Sequence, residues 1–163
     1  MKNYKEKCIK LLEDRGVSIK DIAECSFYLQ APYHPNLKVE DFYKDISSVL
    51  DKTEVQSAIM VAIELDRQAE NGTIIDKDLL EILHNDDGLF GTDEVIAYGI
   101  CNLYGSIALT NFGYIDKKKI GIIGKLNDPN THDDACNTFL DDIVGAIASA
   151  AAGKYAHNVL ENK

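Results

Sequence analysis

From Val95 to Ile115 the chain runs for 21 positions without a charged side chain, and from Ile143 to Gly153 it does so again. Uncharged runs of this kind gain free energy only when removed from water. The first is long enough to cross a bilayer, yet Asn102, Ser106, Thr110, Asn111 and three glycines (Gly99, Gly105, Gly113) dilute it, so it is expected as a helix inside a folded domain. The second is too short to span. Its residues Gly145, Ala146, Ala148, Ser149, Ala150, Ala151, Ala152 and Gly153 are small, and small side chains let helix axes approach closely. A helix built this way is expected at the centre of a bundle.

Elsewhere apolar residues recur at helical spacing, and no segment alternates with period two between hairpin turns. The expected fold is all-α: residues 1–163 form a single-domain multi-helix bundle around a central helix rich in small residues. Ile9, Leu11 and Leu12 mark a first helix ending at Gly16. Ser18 and Asp21 form a capping box for a second, running toward Gln30, and Pro32 and Pro35 break the chain. A third helix, from Val39 to Leu50, carries Phe42, Ile46 and Val49 on one face. Thr53 with Gln56 caps a fourth, Glu54 to Glu70, with Val55, Ile59, Ala62, Ile63 and Leu65 as core candidates. Asp76 caps a short helix through Leu83, and His84 to Gly91 reads as a loop. One long helix is expected from Thr92, a short one between loops within residues 113–129, and a last one from Asn137 or Thr138 to about Asn158.

Charge narrows the partners. With 27 acidic against 17 basic side chains the formal net charge is -10, which excludes a nucleic-acid backbone binder driven by counterion release. An anionic membrane repels such a chain on average. Cys8, Cys25, Cys101 and Cys136 show neither a CxxC pattern nor a zinc spacing, and read as reduced, buried thiols of a cytoplasmic protein. The lysine-rich start, Met1 to Lys10, has no apolar run behind it and does not read as an export signal.

The placement of acids carries the chemistry. Asp141-Asp142 opens the alanine-rich helix and Asp93-Glu94 opens the other uncharged one, preceded by Asp86, Asp87, Gly88 and Gly91. Carboxylates at a helix start are favoured by the macrodipole alone. If the two starts converge, however, the carboxylates repel, and a divalent cation relieves them. Adjacent helical residues point about 100° apart, so one of each pair is expected to face the ion, with Asp93 and Asp142 slightly favoured. Asp116 followed by Lys117, Lys118 and Lys119 is the only basic cluster. It reads either as a solvated turn or as phosphate-binding cations beside a metal-ligating carboxylate. His84, His132 and His157 read as surface histidines, and Tyr98 and Tyr104 as core packing or as lining for a site.

Three segments together resemble the phosphatidylglycerophosphatase A family: residues 86–95 (DDGLFGTDEV), residues 116–119 (DKKK) and residues 140–144 (LDDIV). The whole chain, Leu29 to Leu37 included, is most similar to the soluble Gram-positive branch that contains the low-temperature-requirement C proteins. The motif region covers about residues 54–155, and residues 1–52 lie outside the resemblance to the membrane-embedded enzymes. By position, Asp86, Asp93, Glu94, Asp116, Lys119, Asp141 and Asp142 match the family's motif residues. Ile120 stands where the motif has proline, and Gly113 where it has arginine. The resemblance implies a Mg²⁺-dependent phosphatase that converts phosphatidylglycerophosphate to phosphatidylglycerol. Metal ligands would come from Asp86, Asp93, Glu94, Asp116, Asp141 and Asp142, the catalytic set would be Asp93, Lys119 and Asp142, and Lys117 and Lys118 would join Lys119 on the substrate phosphate. The expected partner is a phosphate ester, soluble or a lipid met at the inner membrane face, and a homo-oligomer is left open. The competing reading is a non-catalytic helical module that keeps the metal site for binding or assembly.

Overall fold

The computed structural model describes residues 2–131 and 134–161; His132 lies outside them. Among the described residues there are nine α-helices, three short 3-10 turns and no strand. In chain order they are α1 (Lys5–Asp14), α2 (Ile19–Gln30), α3 (Tyr43–Leu50), α4 (Thr53–Glu70), α5 (Lys77–Asn85), α6 (Thr92–Asn102), α7 (Gly105–Lys118), α8 (Gly121–Asn127) and α9 (Leu140–Glu161). Helices α2, α3, α4, α6, α7 and α8 all pack on α9, and every residue from Leu140 to Gly153 is buried. Beyond Asp142 that segment has no polar face because it has no solvent side. At Gly153 an added Cβ would stand 3.2 Å from the backbone nitrogen of Ala108, so the first turn of α7 rests almost directly on the α9 backbone. Ala148 is fully buried. Replacing it with Leu overpacks the centre and costs about 1 to 3 kcal/mol, measurable as a lower denaturant midpoint at unchanged slope.

The other uncharged run is not one helix. It folds back on itself at Leu103-Tyr104, where Gly105 takes φ 81°, a conformation open to glycine at no steric cost. Helices α6 and α7 then lie side by side, with the ring of Tyr98 edge-on to Phe112 at 5.3 Å. Only one side of the pair is buried, through Ala97, Ile100, Cys101, Ala108, Phe112 and Ile115, whereas Val95, Tyr98, Leu103 and Tyr114 are exposed. The central position belongs to α9, so α6 and α7 are left at the surface. No helix among the described residues is long and apolar enough to cross a membrane. All four cysteines are buried and free.

Local signals held in some places and gave way to packing in others. The Ser18–Asp21 capping box forms, and the Asp76 side chain accepts from the Leu79 amide at 3.0 Å, although α5 runs on through His84 to Asn85. Gln56 does not close a box with Thr53. It is buried, accepting from the Tyr4 amide and donating to the Leu50 carbonyl, both at 2.9 Å, which ties α1 to α4. Val39–Phe42 winds as a 3-10 turn before α3. Helix α9 begins two residues after Thr138, whose hydroxyl donates to the Leu83 carbonyl at 2.7 Å. The stretch from Gly113 to Lys118 belongs to α7 rather than to a loop.

Candidate functional site

The sequence turns sharply wherever an acid has to be delivered to one end of α9. Asp86 ends α5 in a left-handed conformation, φ 48°, which Asp tolerates better than most residues. The next carboxylate, Asp87, accepts from the Leu89 amide at 3.0 Å, and Phe90 pins the loop by standing edge-on to Phe139 at 5.9 Å. Gly91, φ 66°, starts α6 and places Asp93 and Glu94 in its first turn. Helix α7 contributes Asp116 and stops at Lys119, again left-handed at φ 48°. Below that strap α8 crosses with Gly124, where a Cβ would overlap the Lys119 carbonyl oxygen. Only glycine lets the two segments pass this closely.

The result is a cleft of about 280 Å³ lined by Asp86, Asp87, Gly88, Asp93, Glu94, Asp116, Lys119, Asn127, Asp141 and Asp142. Carboxylate oxygens of Asp93, Glu94 and Asp142 lie within 4.8 Å of one another, as do those of Asp116, Asp141 and Asp142. Asp142 is common to both groups. Asp141 and Asp142 therefore both reach the cleft, although their helical spacing favours one. They stand in the first turn, where Cα–Cβ bonds lean toward the helix start and so toward the cleft. The Lys119 ammonium donates to Asp116 at 2.6 Å and Asp141 at 2.7 Å and stands 3.9 Å from Asp142.

Burial pushes the Asp142 carboxyl well above the ordinary carboxylate range, and Asp141 and Asp116 push it further. Burial also raises Asp93, with Glu94 adding to the rise, and raises Asp141 against the pull of Lys119. Burial opposes the charge of Lys119, but Asp141 and Asp116 more than offset it and hold the ammonium above its usual range. Seven carboxylates thus share one ammonium, and Glu94 Oε2 is buried with no hydrogen-bond partner. An all-oxygen donor set with an unsatisfied buried carboxylate oxygen fits a hard divalent cation such as Mg²⁺.

The other residues singled out in the sequence fall elsewhere. Lys117 and Lys118 are exposed and do not line this cleft; the Lys118 ammonium lies 5.8 Å from the centre of the Tyr114 ring. His84 borders a neighbouring cleft that shares Asp86 and Asn127. The His157 ring comes within 4.0 Å of the position a Cβ would take on Gly105. Tyr98 is close enough to Glu94, Asp116 and Asp142 for their charge to raise its phenol, after the larger effect of burial.

Sequence reasoning missed Asp66, on α4. It is fully buried, and its two oxygens accept from the backbone amides of Phe139 at 3.1 Å and Leu140 at 3.0 Å, just ahead of Asp141 and Asp142. Burial raises its carboxyl to about 8 against the pull of those amides and of Arg15. Arg15, at the end of α1, pairs with Glu70 and donates to the Cys136 carbonyl at 2.7 Å and to Asn137 Oδ1 at 2.9 Å. Glu70 in turn accepts from the Cys136 amide at 2.8 Å. The signal was available: Val55, Ile59, Ala62, Asp66 and Ala69 form one buried stripe, and a carboxylate on an apolar stripe needs buried donors.

The profile of the phosphatidylglycerophosphatase A family matches residues 16–157, a span that includes every residue of the cleft. The uncharacterized protein YutG of Bacillus subtilis (strain 168) is 49% identical over 146 residues, covering 90% of this chain and 86% of that protein. A crystal structure of the low temperature requirement C protein from Listeria monocytogenes has a TM-score of 0.92 at 46% identity, covering 98% of each chain. The crystal structure of protein ypjQ from Bacillus subtilis has a TM-score of 0.92 at 41% identity, over 98% of this chain and 96% of that one. With the profile matched over most of its length and relatives this similar along nearly all of it, the chain belongs to the phosphatidylglycerophosphatase A family.

Proposed function

We propose that the protein is a divalent-cation-dependent phosphatase of phosphoric monoesters, with phosphatidylglycerophosphate as the substrate its family name points to and Mg²⁺ as the cation. One observation carries the reading: seven carboxylates converge on a cleft with a single ammonium, and a phosphate dianion enters such a place only alongside added positive charge. Asp142, shared by both carboxylate groups, is the residue to hold the cation, with Asp93, Glu94, Asp116 and Asp141 around it and Asp86 at the mouth. When bound, the cation supplies positive charge to the phosphoryl oxygens and acidifies water for the attack.

The chain's own residues do the rest. Lys119 offsets part of the charge of Asp116 and Asp141 and offers an N–H to a non-bridging oxygen as charge moves onto it. The first turn of α9 holds Asp141 and Asp142 rigidly because Asp66 accepts from the two amides before them. Lys117 and Lys118, outside the cleft, present basic surface to an approaching anionic lipid at the inner membrane face.

The test is phosphate release from phosphatidylglycerophosphate in mixed micelles and from soluble esters such as glycerol 3-phosphate, with Mg²⁺ and with EDTA. Release is expected only with Mg²⁺. Lys119→Ala removes the ammonium from the cleft's lining, so Mn²⁺ affinity by calorimetry holds or rises while turnover falls about 100-fold. Turnover that survives chelation sinks the metal mechanism. Tight metal binding with no turnover of any ester would favour the non-catalytic module.

A further inference from the structure

The outer side of the α6–α7 pair is unusual for this chain. Through 21 residues of an acidic protein it carries no charge, yet Val95, Tyr98, Gly99, Asn102 and Leu103 of α6 and its turn, and Ser106, Thr110, Gly113 and Tyr114 of α7, are exposed. Val95 is 63% exposed and Tyr114 49%, so these are not core residues grazing the surface. We propose that this face is where two copies of the chain join.

Three observations favour a second copy over other occupants. Each copy has a formal net charge of -10, and contact between two such molecules is less opposed by like charge where the surface bears none. Next, the face contains both halves of a fit. Val95 stands exposed on it, with the half-exposed rings of Tyr98 and Tyr114 packed on Phe112 and Tyr28 beside it, while a Cβ added at Gly99 or Gly113 would meet nothing within 4 Å, leaving open space on the same two helices. A two-fold interface joins one patch to itself and needs projections and hollows side by side. The size is also adequate. Helices of 11 and 14 residues make a face roughly 20 Å on each side, and the exposed rings of Tyr28 and Tyr33 beyond Tyr114 widen it. That is roughly 400 Å² per partner before the two rings are added, toward the low end of specific interfaces. A lipid surface fits less well, because Asn102 and Ser106 would lose their water to hydrocarbon without gaining partners.

Gly99 and Gly113 are helical, with space around them, so a side chain at either position leaves the folded monomer intact. Sedimentation equilibrium of the full chain from about 1 to 100 μM is expected to show a species of twice 18.1 kDa. Gly99→Glu and Gly113→Glu are each expected to weaken association at least tenfold, with helical circular dichroism and melting temperature of the dilute monomer unchanged or raised. Gly99→Ala, which adds no charge, keeps the dimer. A wild-type protein that stays monomeric at 100 μM overturns the proposal, as does a dimer indifferent to both glutamates. Co-sedimentation of the wild type with phosphatidylcholine vesicles, lost in the Glu variants without any dimer, would assign the face to lipid instead.

Discussion

Asp142→Asn should weaken Mg²⁺ or Mn²⁺ binding by at least tenfold and make the metal-free protein more stable, by on the order of 1 to 3 kcal/mol. The two effects have one origin. Asp142 is buried among Asp93, Glu94, Asp116 and Asp141, so its charge attracts a cation and destabilises the fold that lacks one. The same argument fixes the pH dependence. Asp142 and Asp93 are raised by burial first and by neighbouring acids second, Asp141 is raised by burial against the pull of Lys119, and Asp66 is raised by burial to about 8. Above about pH 4 the unfolded chain has lost protons that these folded carboxyls still hold. Stability in EDTA therefore falls as pH rises from about 4 toward 8, and Asn at position 142 flattens that fall. Saturating Mg²⁺ opposes it, because a ligand of the native state alone stabilises by mass action. Calorimetric titration with thermal melts at several pH values, with and without EDTA, measures all of this. A wild type equally stable at pH 5 and pH 8 in EDTA, or an Asn variant with unchanged metal affinity, contradicts it.

Asp66→Ala should be the most damaging single change outside the cleft. It leaves the Phe139 and Leu140 amides buried without acceptors, at about 1 to 3 kcal/mol for each unsatisfied group and so about 2 to 6 kcal/mol in total. Metal affinity should also fall by 10- to 100-fold, as it does when groups supporting the ligands are removed, because Asp141 and Asp142 follow directly on the turn that Asp66 fixes. Asp66→Asn retains one oxygen acceptor and should lie between. Measured well below the melting temperature, unchanged metal affinity in Asp66→Ala would reduce its role to stability alone.

The centre of the fold could be read directly, because a run of small uncharged residues has one comfortable place in a helical bundle, and the structure buries all of it. The second uncharged run could not. Lack of charge says that a helix avoids repulsion, not which neighbour covers it, and the reversal at Gly105 turned one expected helix into a half-exposed pair. Caps followed the same division. Ser18 and Asp21 sit in a local turn and satisfy each other, whereas Gln56 has a better offer from Tyr4, 52 residues away, that no window around Thr53 contains. In the cleft, the grouping of Asp86, Asp93, Glu94, Asp116, Lys119, Asp141 and Asp142 came from the family resemblance, and the structure brings these seven residues to one cleft. Spacing sets Asp141 and Asp142 about 100° apart, and the lean of side chains at a helix start lets both line the cleft, with Asp141 paired to Lys119. Asp66 and Gly124 went unnoticed because their partners lie in other helices.

The loop that leads into α9 has consequences for the order in which the molecule comes together on the ribosome. Its anchors are remote in the chain: Arg15 reaches Cys136 and Asn137 across 121 and 122 positions, and Asp66 reaches Phe139 and Leu140 across 73 and 74. Contacts of such long separation form only after much of the chain has collapsed. As α1 and α4 emerge, Arg15 can pair with Glu70, but Asp66 must wait for the last quarter of the sequence before it finds its amides. Assembly of the cleft is thus a late event in synthesis: a nascent chain carries most of the cleft's carboxylates long before it can hold them together.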